Sequence, residues 1–380
     1  MTKKMRIGID ARMYRRSTGG IGRYIHGLLE ALSKIDNFNR YYVFLTDDDL
    51  KEYTLKAKNF IPVRAPYLHY SVKEQVGFLR LLNSYRLDLV HFTNFNHPIF
   101  YQGKYVITIH DMTMTIFPAP GRQSSGFSRF FYHLVLKNGL SHAQKIIAVS
   151  RNTKNDLVNM VKTPEQKISV IYHGVDENYK PDPEFQKRKI LETKYKIYEP
   201  YILFISQWRP HKGINNLVKA FEILDQRFKM KELKLVITGK PNPKFPEIEK
   251  GINTSPIRQK IITPGFIDEK DMVPLYSNAA AFVFPSVYEG FGLNPLESMA
   301  CGTAVATSDI SCIPEICGKG ALYFDPNDPE DIALKTHTIL TNNVLRQKLI
   351  EEGFENVKRF SWDKMAKETY EVYESVLNNN

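Results

Sequence analysis

YEGFGLNPLE, residues 288–297, is the stretch from which the fold of this chain is most directly predicted. An apolar run at residues 279–284 precedes it, and residues 298–302 continue the segment after its glycines. The apolar run has the length of a buried strand, and the segment after the glycines reads as the turns of a helix. The order therefore predicts a buried strand, a glycine-rich turn and a helix.

Two carboxylates flank this turn. Glu289 follows the predicted strand at its carboxyl end, and Glu297, eight positions later, lies on the predicted helix. Backbone amides at the start of a helix favour anionic groups. Ionised carboxylates accept several hydrogen bonds and so suit hydroxyl-rich groups. The combination predicts a ligand with both a phosphate part and a sugar part.

The same alternation of strand and helix extends along both halves of the chain. The predicted strands are residues 5–10, 41–45, 87–92, 105–109, 145–149, 168–171, 201–206, 233–238, 261–263, 280–284, 304–306 and 321–324. Helices are expected between them, including residues 22–34 and 214–228, with a final helix at 362–377. Apolar strands that alternate with helices predict mainly parallel, doubly wound sheets and hence an α/β fold.

Length and composition predict two soluble domains. A chain of 380 residues exceeds one ordinary core, and residues 176–183 have the composition of a linker before a helix predicted at 184–195. We therefore expect domains at 1–183 and 184–361. No apolar run approaches the ~20 residues of a bilayer span, and no signal-peptide core follows the N-terminus, so a cytoplasmic protein is expected.

No residue cluster has the spacing of a metal site. Cys301, Cys312 and Cys317 lack such spacing and are expected to be reduced thiols. The acidic run at residues 47–49 follows a predicted strand, and we expect it to cap a helix rather than bind a metal.

The net charge of +11 is confined to the first half of the chain. Residues 1–183 contain 26 Lys and Arg against 15 Asp and Glu, whereas the remaining residues contain 26 of each. Basic surfaces attract nucleic acid, anionic lipid or pyrophosphate, and a merely solvated basic surface is the alternative. The sequence contains no nucleic-acid-binding module, so nucleic acid is not expected as a partner.

One predicted helix in this basic half has two interpretations. Its apolar residues are expected to share a face: Phe127, Phe130, Phe131, Leu134 and Val135. Basic residues lie nearby in the sequence: Arg122, Arg129 and Lys137. Such a helix suits the surface of an anionic membrane. The preferred interpretation is an amphipathic helix whose apolar face packs on the core.

Three further motifs follow predicted strands. Residues 19–24, GGIGRY, allow the backbone to approach a phosphate, a plain tight turn being the alternative. The pattern is neither the dinucleotide fingerprint nor a P-loop. His110 and Asp111 lie where ligands bind in open α/β sheets and predict sugar binding or acid/base assistance. The alternative is that Asp111 merely caps the next segment.

Residues 208–213, WRPHKG, supply two cations that could neutralise a pyrophosphate, a solvated basic loop being the alternative.

Together these motifs resemble the retaining glycosyltransferases of family 4, which have the GT-B architecture. The resemblance covers nearly the whole chain, and its most specific part is residues 289–297, similar to the family's Glu-x7-Glu motif. Supporting parts are residues 19–24, 110–111, 148–153 and 173–176. The resemblance implies two Rossmann-like domains facing a central cleft, the first binding acceptor and the second binding nucleotide-sugar donor. It also implies that the C-terminal helix, 362–380, crosses back to the first domain.

The resemblance assigns a role to each candidate side chain. Glu289 would contact hydroxyls of the transferred sugar, and Glu297 would accept bonds from the nucleotide ribose. Arg209 and Lys212 would hold the diphosphate, and His110 would bind the sugar near its 6-hydroxyl. Glu289, His110, Lys212 and Arg209 are thus the expected catalytic residues. Arg209 lies closer to Lys212 than the basic pair of many members, which weakens its assignment.

Backbone amides complete the expected donor site. Those of Phe291, Gly292 and Leu293, with that of Gly20, would touch the diphosphate or the sugar. Asn294 departs from the family pattern, because many members have proline at that position. The departure affects the turn and leaves both carboxylates in place.

The reaction implied by the resemblance is transfer with retention at the anomeric carbon, without a cofactor or metal. GDP-mannose is the favoured donor, because the motifs look most like the mannosyltransferase branches; a UDP-sugar such as a glucosyl or GlcNAc donor is the alternative. The expected acceptor is a saccharide or lipid-linked saccharide of a surface polysaccharide, with peripheral contact at the inner face of the membrane through the basic half. Rival functions are a non-catalytic nucleotide-sugar-binding protein, a GT-B epimerase and a protein that binds anionic surfaces.

Overall fold

The computed structural model describes residues 3–118, 126–182 and 188–378, without the side chains of Arg16 and Phe127. The chain divides into an N-terminal unit, Met1–Gly174 with Phe360–Asn380, and a C-terminal unit, Val175–Arg359. The boundary lies nine residues before the predicted one, because the stretch after Gly174 packs with the second unit. Of the helix predicted at 184–195, only the part from Arg188 lies within the described residues.

The N-terminal unit contains a parallel sheet. In its described part the strands have the order β3-β2-β1-β4-β5-β6-β7, and every recorded pair is parallel. Their bounds are β1 Arg6–Asp10, β2 Arg40–Leu45, β3 Phe60–Arg64, β4 Leu89–Phe92, β5 Tyr105–Ile109, β6 Lys145–Ala148 and β7 Ile168–Val170. The parallel α/β sheet was predicted, but β3 was not. It contains Pro62 and forms the edge of the sheet, where a missing amide hydrogen is tolerated.

The helices of this unit are α1 Gly20–Ile35, α2 Asp47–Glu52, α3 Leu79–Ser84, α4 Thr113–Ile116, α5 Gly126–His142, α6 Arg151–Val161 and the C-terminal helix, labelled α15, Trp362–Asn378. Ile25, Leu28 and Leu32 repeat at helical spacing and bury one face of α1. That face shares a core with buried residues of α15, including Tyr373. The C-terminal helix therefore belongs to the N-terminal unit, as the resemblance implied.

The structure corrects the preferred interpretation of α5. Val135 is buried, whereas Phe130 is 66% exposed and Leu134 is 41% exposed. The core face instead includes Tyr132 and Leu136. The expected apolar stripe is thus divided between two sides of the helix, because apolar residues occur all round it. Arg122 and the side chain of Phe127 lie outside the described residues.

The C-terminal unit contains a second parallel sheet. Within the described residues its strand order is β10-β9-β8-β11-β12-β13, again with every recorded pair parallel. The strands are β8 Tyr201–Ile205, β9 Lys234–Thr238, β10 Ile261–Gly265, β11 Ala281–Phe284, β12 Val305–Ser308 and β13 Ala321–Phe324. The helices are α7 Arg188–Tyr195, α8 Ile214–Gln226, α9 Pro246–Asn253, α10 Met272–Ser277, α11 Leu293–Ala300, α12 Ile313–Cys317, α13 Pro329–Thr341 and α14 Asn343–Val357.

The strand order of the C-terminal sheet reverses between β8 and β11. The chain adds β9 and then β10 on one side of β8. It then returns, so that β11 pairs with the other side of β8. Helices after the two neighbouring strands must diverge to opposite faces, which leaves a crevice at their carboxyl ends. The loops 206–213 and 285–292 leave those two ends. The topology therefore brings together the two motifs, whose Lys212 and Glu289 are 77 residues apart in the sequence.

Candidate functional site

The two loops at the reversal point are fixed to each other. Gly213 has a φ of +71°, and a Cβ built there would lie 2.1 Å from the carbonyl oxygen of Pro285. The amide of Val287 donates to the carbonyl oxygen of His211 over 2.8 Å. A side chain at residue 213 would force the loops apart, so glycine is required at this approach.

Lys212 and Glu289 form an ion pair across this junction. Lys212 Nζ lies 2.6 Å from Glu289 Oε1, and the side chains are only 16% and 13% exposed. Ser311 holds the Glu289 backbone on both sides: its Oγ accepts from the Glu289 amide over 3.1 Å and donates to the Glu289 carbonyl over 2.9 Å. The structure thus places these two predicted residues in direct contact and in a supported geometry.

Arg209 lies at the start of the same short helical turn, Pro210–Lys212, and is half-buried. Its positive charge acts on the imidazole of the neighbouring His211. Burial, with the positive charges of Lys212 and Arg209, lowers the pKa of His211 to about 3. His211 is therefore neutral near pH 7, and the positive charge of this loop resides on Arg209 and Lys212.

Helix α11 begins directly beside the ion pair. Gly292 precedes Leu293, the first residue of α11, with a φ of +95° that favours glycine. Phe291 is buried, and its carbonyl accepts a hydrogen bond from the Cys312 thiol over 3.2 Å. The first amides of a helix carry partial positive charge, so the start of α11 adds to the cations of loop 206–213.

Glu297 lies one turn into α11 and is 2% exposed. The Tyr276 hydroxyl donates to Glu297 Oε2 over 2.8 Å, and Asn294 Nδ2 donates to the Tyr276 oxygen over 3.2 Å. Asn294, the departure from the family pattern, thus supports the tyrosine that orients Glu297. The sequence did not point to Tyr276, because this residue lies 21 positions before Glu297 and only packing brings the two together.

The other predicted residues lie in the N-terminal unit. Gly19 has a φ of +75° and precedes α1, and Gly20 is exposed as the first residue of that helix. A Cβ at Gly20 would meet no atom within 4 Å, so the space on the side-chain side of this residue is open. Tyr24 of the same motif is buried, and its hydroxyl lies 3.0 Å from Thr108 Oγ1.

His110 follows β5 and is held on several sides. Its Nε2 lies 2.8 Å from the carbonyl oxygen of Thr93, and its ring meets the Tyr24 ring edge-on at 4.9 Å. A carbonyl can only accept, so Nε2 carries the hydrogen and Nδ1 carries the lone pair in the neutral ring. Burial lowers the pKa of His110, which favours that neutral form. Asp111 Oδ1 accepts from the Thr113 amide over 2.7 Å, as the capping alternative proposed.

A buried ionic cluster at the end of β1 was not predicted. Arg12 binds both Asp10 and Glu74, with Nη2–oxygen distances of 2.8 and 2.9 Å, and its side chain has no exposed surface. Asp10 ends β1, so strand-end position was the available signal, but Glu74 is distant in sequence. The cluster is two carboxylates around one guanidinium, and it anchors the segment after β3.

Comparison with known proteins identifies the family. Residues 18–179 match Glycosyltransferase Family 4, and residues 186–356 match the Glycosyl transferases group 1. The two matches succeed each other along most of the chain and correspond to the two sheets. The chain belongs to the glycosyltransferases of family 4 and group 1.

Relatives of this glycosyltransferase include a named mannosyltransferase and an uncharacterized protein. O-antigen chain mannosyltransferase B of Escherichia coli is 27% identical over 296 residues, which cover 77% of this chain and 75% of the relative. An uncharacterized glycosyltransferase of Methanocaldococcus jannaschii is 28% identical over 386 residues, covering 95% and 96%.

Solved structures share the fold. Sucrose-phosphate synthase from Thermosynechococcus elongatus has a TM-score of 0.79 at 20% identity, covering 99% of this chain and 100% of that one. Anabaena HepE, solved in complex with UDP-glucose, has a TM-score of 0.77 at 16% identity, covering 98% and 100%. The predicted GT-B fold of this glycosyltransferase is confirmed.

No described helix combines the length and the apolar composition needed to cross a bilayer. The described side chains include no group of three or more His, Cys, Asp or Glu placed to hold a metal ion.

Proposed function

We propose that this glycosyltransferase transfers mannose from GDP-mannose, with retention at the anomeric carbon, to a saccharide or lipid-linked saccharide in surface polysaccharide synthesis. The Lys212–Glu289 ion pair supports the proposal most directly, because it sets a cation against a carboxylate at the reversal point of the C-terminal sheet. The cation would bind the diphosphate, and the carboxylate would bind the sugar. We further propose a cytoplasmic enzyme at the inner face of the membrane, which the basic charge of the N-terminal unit supports.

The main chemical task is to stabilise the departing nucleoside diphosphate. Lys212 and Arg209 supply fixed positive charge, and the amides of Phe291, Gly292 and Leu293 add hydrogen-bond donors at the start of α11. Preorganised charges of this kind stabilise a leaving group without reorganisation during the reaction. We propose that these groups suffice without a metal ion.

Donor binding would then exchange partners within the ion pair. The diphosphate carries more negative charge than one carboxylate does, so Lys212 would move to the phosphate oxygens. Glu289 would be released from Lys212 and accept hydrogen bonds from the sugar hydroxyls. Ser311 would keep the Glu289 backbone in place during that exchange.

The remaining roles follow the family motifs. Glu297, oriented by Tyr276, would accept bonds from the ribose hydroxyls. In the N-terminal unit, the Gly20 amide would approach the diphosphate or sugar. His110 would accept a bond from a sugar hydroxyl at Nδ1, because its Nε2 hydrogen is directed to Thr93.

Two observations favour different donors. The mannosyltransferase names among the relatives at 26–27% identity support GDP-mannose. A structure of the same fold in complex with UDP-glucose favours a UDP-sugar as the second candidate.

We expect GDP-mannose to raise the melting temperature of the protein more than any UDP-sugar does. Ligands that bind only the folded state stabilise it in proportion to their affinity. A thermal-shift screen against GDP- and UDP-sugars, run with and without EDTA, measures this. Selective stabilisation by a UDP-sugar would overturn the donor assignment. Loss of all stabilisation by EDTA would overturn the metal-free proposal. Binding without any transfer to saccharide acceptors would favour a non-catalytic binding protein.

We expect Tyr276→Phe to raise the KM for donor about fivefold and to leave kcat nearly unchanged, because ribose binding is shared by ground and transition states. The matched control is Tyr201→Phe, which removes another buried hydroxyl of this unit, bonded to the Leu275 carbonyl over 2.8 Å. Each variant should lose ~1 kcal/mol of stability. Equal KM values in the two variants would contradict the role of Tyr276.

A further inference from the structure

A continuous set of buried polar side chains crosses the N-terminal unit. Nδ1 of His91 lies 2.6 Å from the Tyr373 hydroxyl, and Nε2 of the same ring lies 2.7 Å from Thr108 Oγ1. Thr108 Oγ1 in turn lies 3.0 Å from the Tyr24 hydroxyl. We call these four residues the buried network. Each of them is at most 1% exposed, and polar groups at such depth are costly unless every one has a partner.

The four residues of the buried network come from four different elements. His91 is on β4 and pairs in the parallel register with Val106 of β5, two residues before Thr108. Residues two apart on a strand point to the same face, so His91 and Thr108 share one face of the sheet. Helix α1 supplies Tyr24 to that face, and α15 supplies Tyr373. The network therefore joins the C-terminal helix to the first helix across two neighbouring strands.

The hydrogens of the network must follow one direction. Burial lowers the pKa of His91 to about 3, so its ring is neutral near pH 7, with one nitrogen that donates and one that accepts. Either Tyr373 donates to Nδ1 while Nε2 donates to Thr108, or both bonds run the other way. Thr108 has a single hydroxyl hydrogen, so its bond with Tyr24 runs in the same direction as the rest. Loss of one hydroxyl therefore leaves a buried polar group without its partner and favours movement of its neighbours.

Tyr24 connects the network to His110. The Tyr24 ring meets the half-buried His110 imidazole edge-on, with 4.9 Å between the ring centroids. The His173 ring contacts both, at 5.0 Å from Tyr24 and 5.5 Å from His110. Trp362, the first residue of α15, stacks on His173 at 6.1 Å. Helix α15 therefore reaches the surroundings of His110 by two routes, from Tyr373 through the network and from Trp362 through His173.

We propose that the four residues of the buried network are positioning residues for sugar transfer, which act through the orientation of the His110 ring. The single hydrogen bond from His110 Nε2 to Thr93 leaves the plane of the ring free to tilt. The contact with Tyr24 removes that freedom, and the network holds Tyr24 in place. This inference rests on the proposed function, in which His110 Nδ1 accepts from a sugar hydroxyl. A tilted ring would misplace the sugar, and small errors in the placement of a reacting group lower turnover.

Two substitutions of Thr108 test the proposal in the full-length protein. Thr108→Val keeps the shape of the side chain but removes the hydroxyl between His91 and Tyr24, so kcat at saturating donor should fall about tenfold. Thr108→Ser keeps the hydroxyl and should retain most of the turnover. Tyr105→Phe is the control, because Tyr105 lies on the same strand, is 2% exposed and donates to the Gly139 carbonyl over 3.2 Å outside the network. The control should lower the melting temperature and leave kcat nearly unchanged.

Combination with a His110 variant separates positioning from structural support. If the network acts through the imidazole, Thr108→Val should cause no further loss of kcat in a His110→Ala background, although it should lower the melting temperature in both backgrounds. Equal fold losses of kcat in the two backgrounds would overturn the proposal. So would equal losses in Thr108→Val and Tyr105→Phe, or in Thr108→Val and Thr108→Ser.

An NMR measurement keeps the test independent of the transfer reaction. In protein made with histidine labelled at its ring nitrogens, the His110 signals are assigned by their loss in His110→Gln. They should report one neutral tautomer with the hydrogen on Nε2, since the Thr93 carbonyl can only accept. They should move away from that pattern or broaden in Thr108→Val, and they should be retained in Thr108→Ser. A wild type that transfers no sugar but shows these changes would contradict the proposed function and leave the control of His110 by the network in place. Unchanged His110 signals in Thr108→Val would overturn the positioning role.

Discussion

Lys212→Ala is expected to lower kcat for sugar transfer by about 10²–10³-fold, because one fixed cation of the leaving-group site is lost. The melting temperature should change much less. Lys212 is one of two cations in its loop, and its partner Glu289 retains 13% exposure and so some access to water. Nucleoside diphosphate release at saturating donor measures the effect.

Lys260→Ala is the matched control for that variant. Lys260 pairs with Asp225, and the two side chains are 14% and 6% exposed, close to the values of the Lys212–Glu289 pair. Lys260 precedes β10 and therefore lies at the amino edge of the same sheet, away from the reversal-point loops. Its loss should change the melting temperature about as much as the loss of Lys212 does and leave turnover intact. Unchanged turnover in Lys212→Ala would refute a leaving-group role.

Glu289→Gln is expected to lower transfer by about 10²-fold, which corresponds to the ~3 kcal/mol of a hydrogen bond to a charged group. The same change should preserve or strengthen the binding of GDP alone. Without the Glu289 carboxylate, Lys212 no longer has to leave an ion pair before it meets the diphosphate. Calorimetric titration of GDP, beside the turnover assay, measures both effects.

This combination distinguishes a sugar-binding carboxylate from a structural one. If Glu289 served only to position Lys212, its loss would weaken GDP binding and transfer together. Glu222→Gln supplies the control, because Glu222 accepts a hydrogen bond from Ser255 over 2.6 Å on another face of the unit. Parallel losses of GDP affinity and turnover in Glu289→Gln would contradict the partner exchange.

Most of the fold was predictable because buried parallel strands have a strong sequence pattern. The apolar run before YEGFGLNPLE corresponds to β11 and the segment after its glycines to α11. β3 escaped prediction because Pro62 interrupts its pattern, and its edge position became known only from the sheet order. The orientation of α5 escaped because apolar residues surround it, so periodicity could not assign its core face.

The site was predictable where it consists of strand ends. Glu289 and Lys212 follow β11 and β8, and neighbouring strands bring their loops together. Supporting residues were not predictable, because they come from elements that only tertiary packing places nearby. Ser311 and Tyr276 are ordinary residues in the sequence, and their roles depend on hydrogen bonds to Glu289 and Glu297. From the sequence, Asn294 was expected only to affect the turn. In the structure its side chain donates a hydrogen bond to Tyr276.

A crystal structure of the complex with the sugar nucleotide that stabilises the protein most would test the central claim directly. We predict that Lys212 Nζ will contact a phosphate oxygen, that the Lys212–Glu289 ion pair will be broken, and that Glu289 will accept from sugar hydroxyls. A donor bound away from the start of α11, or one bound with the ion pair intact, would contradict the account.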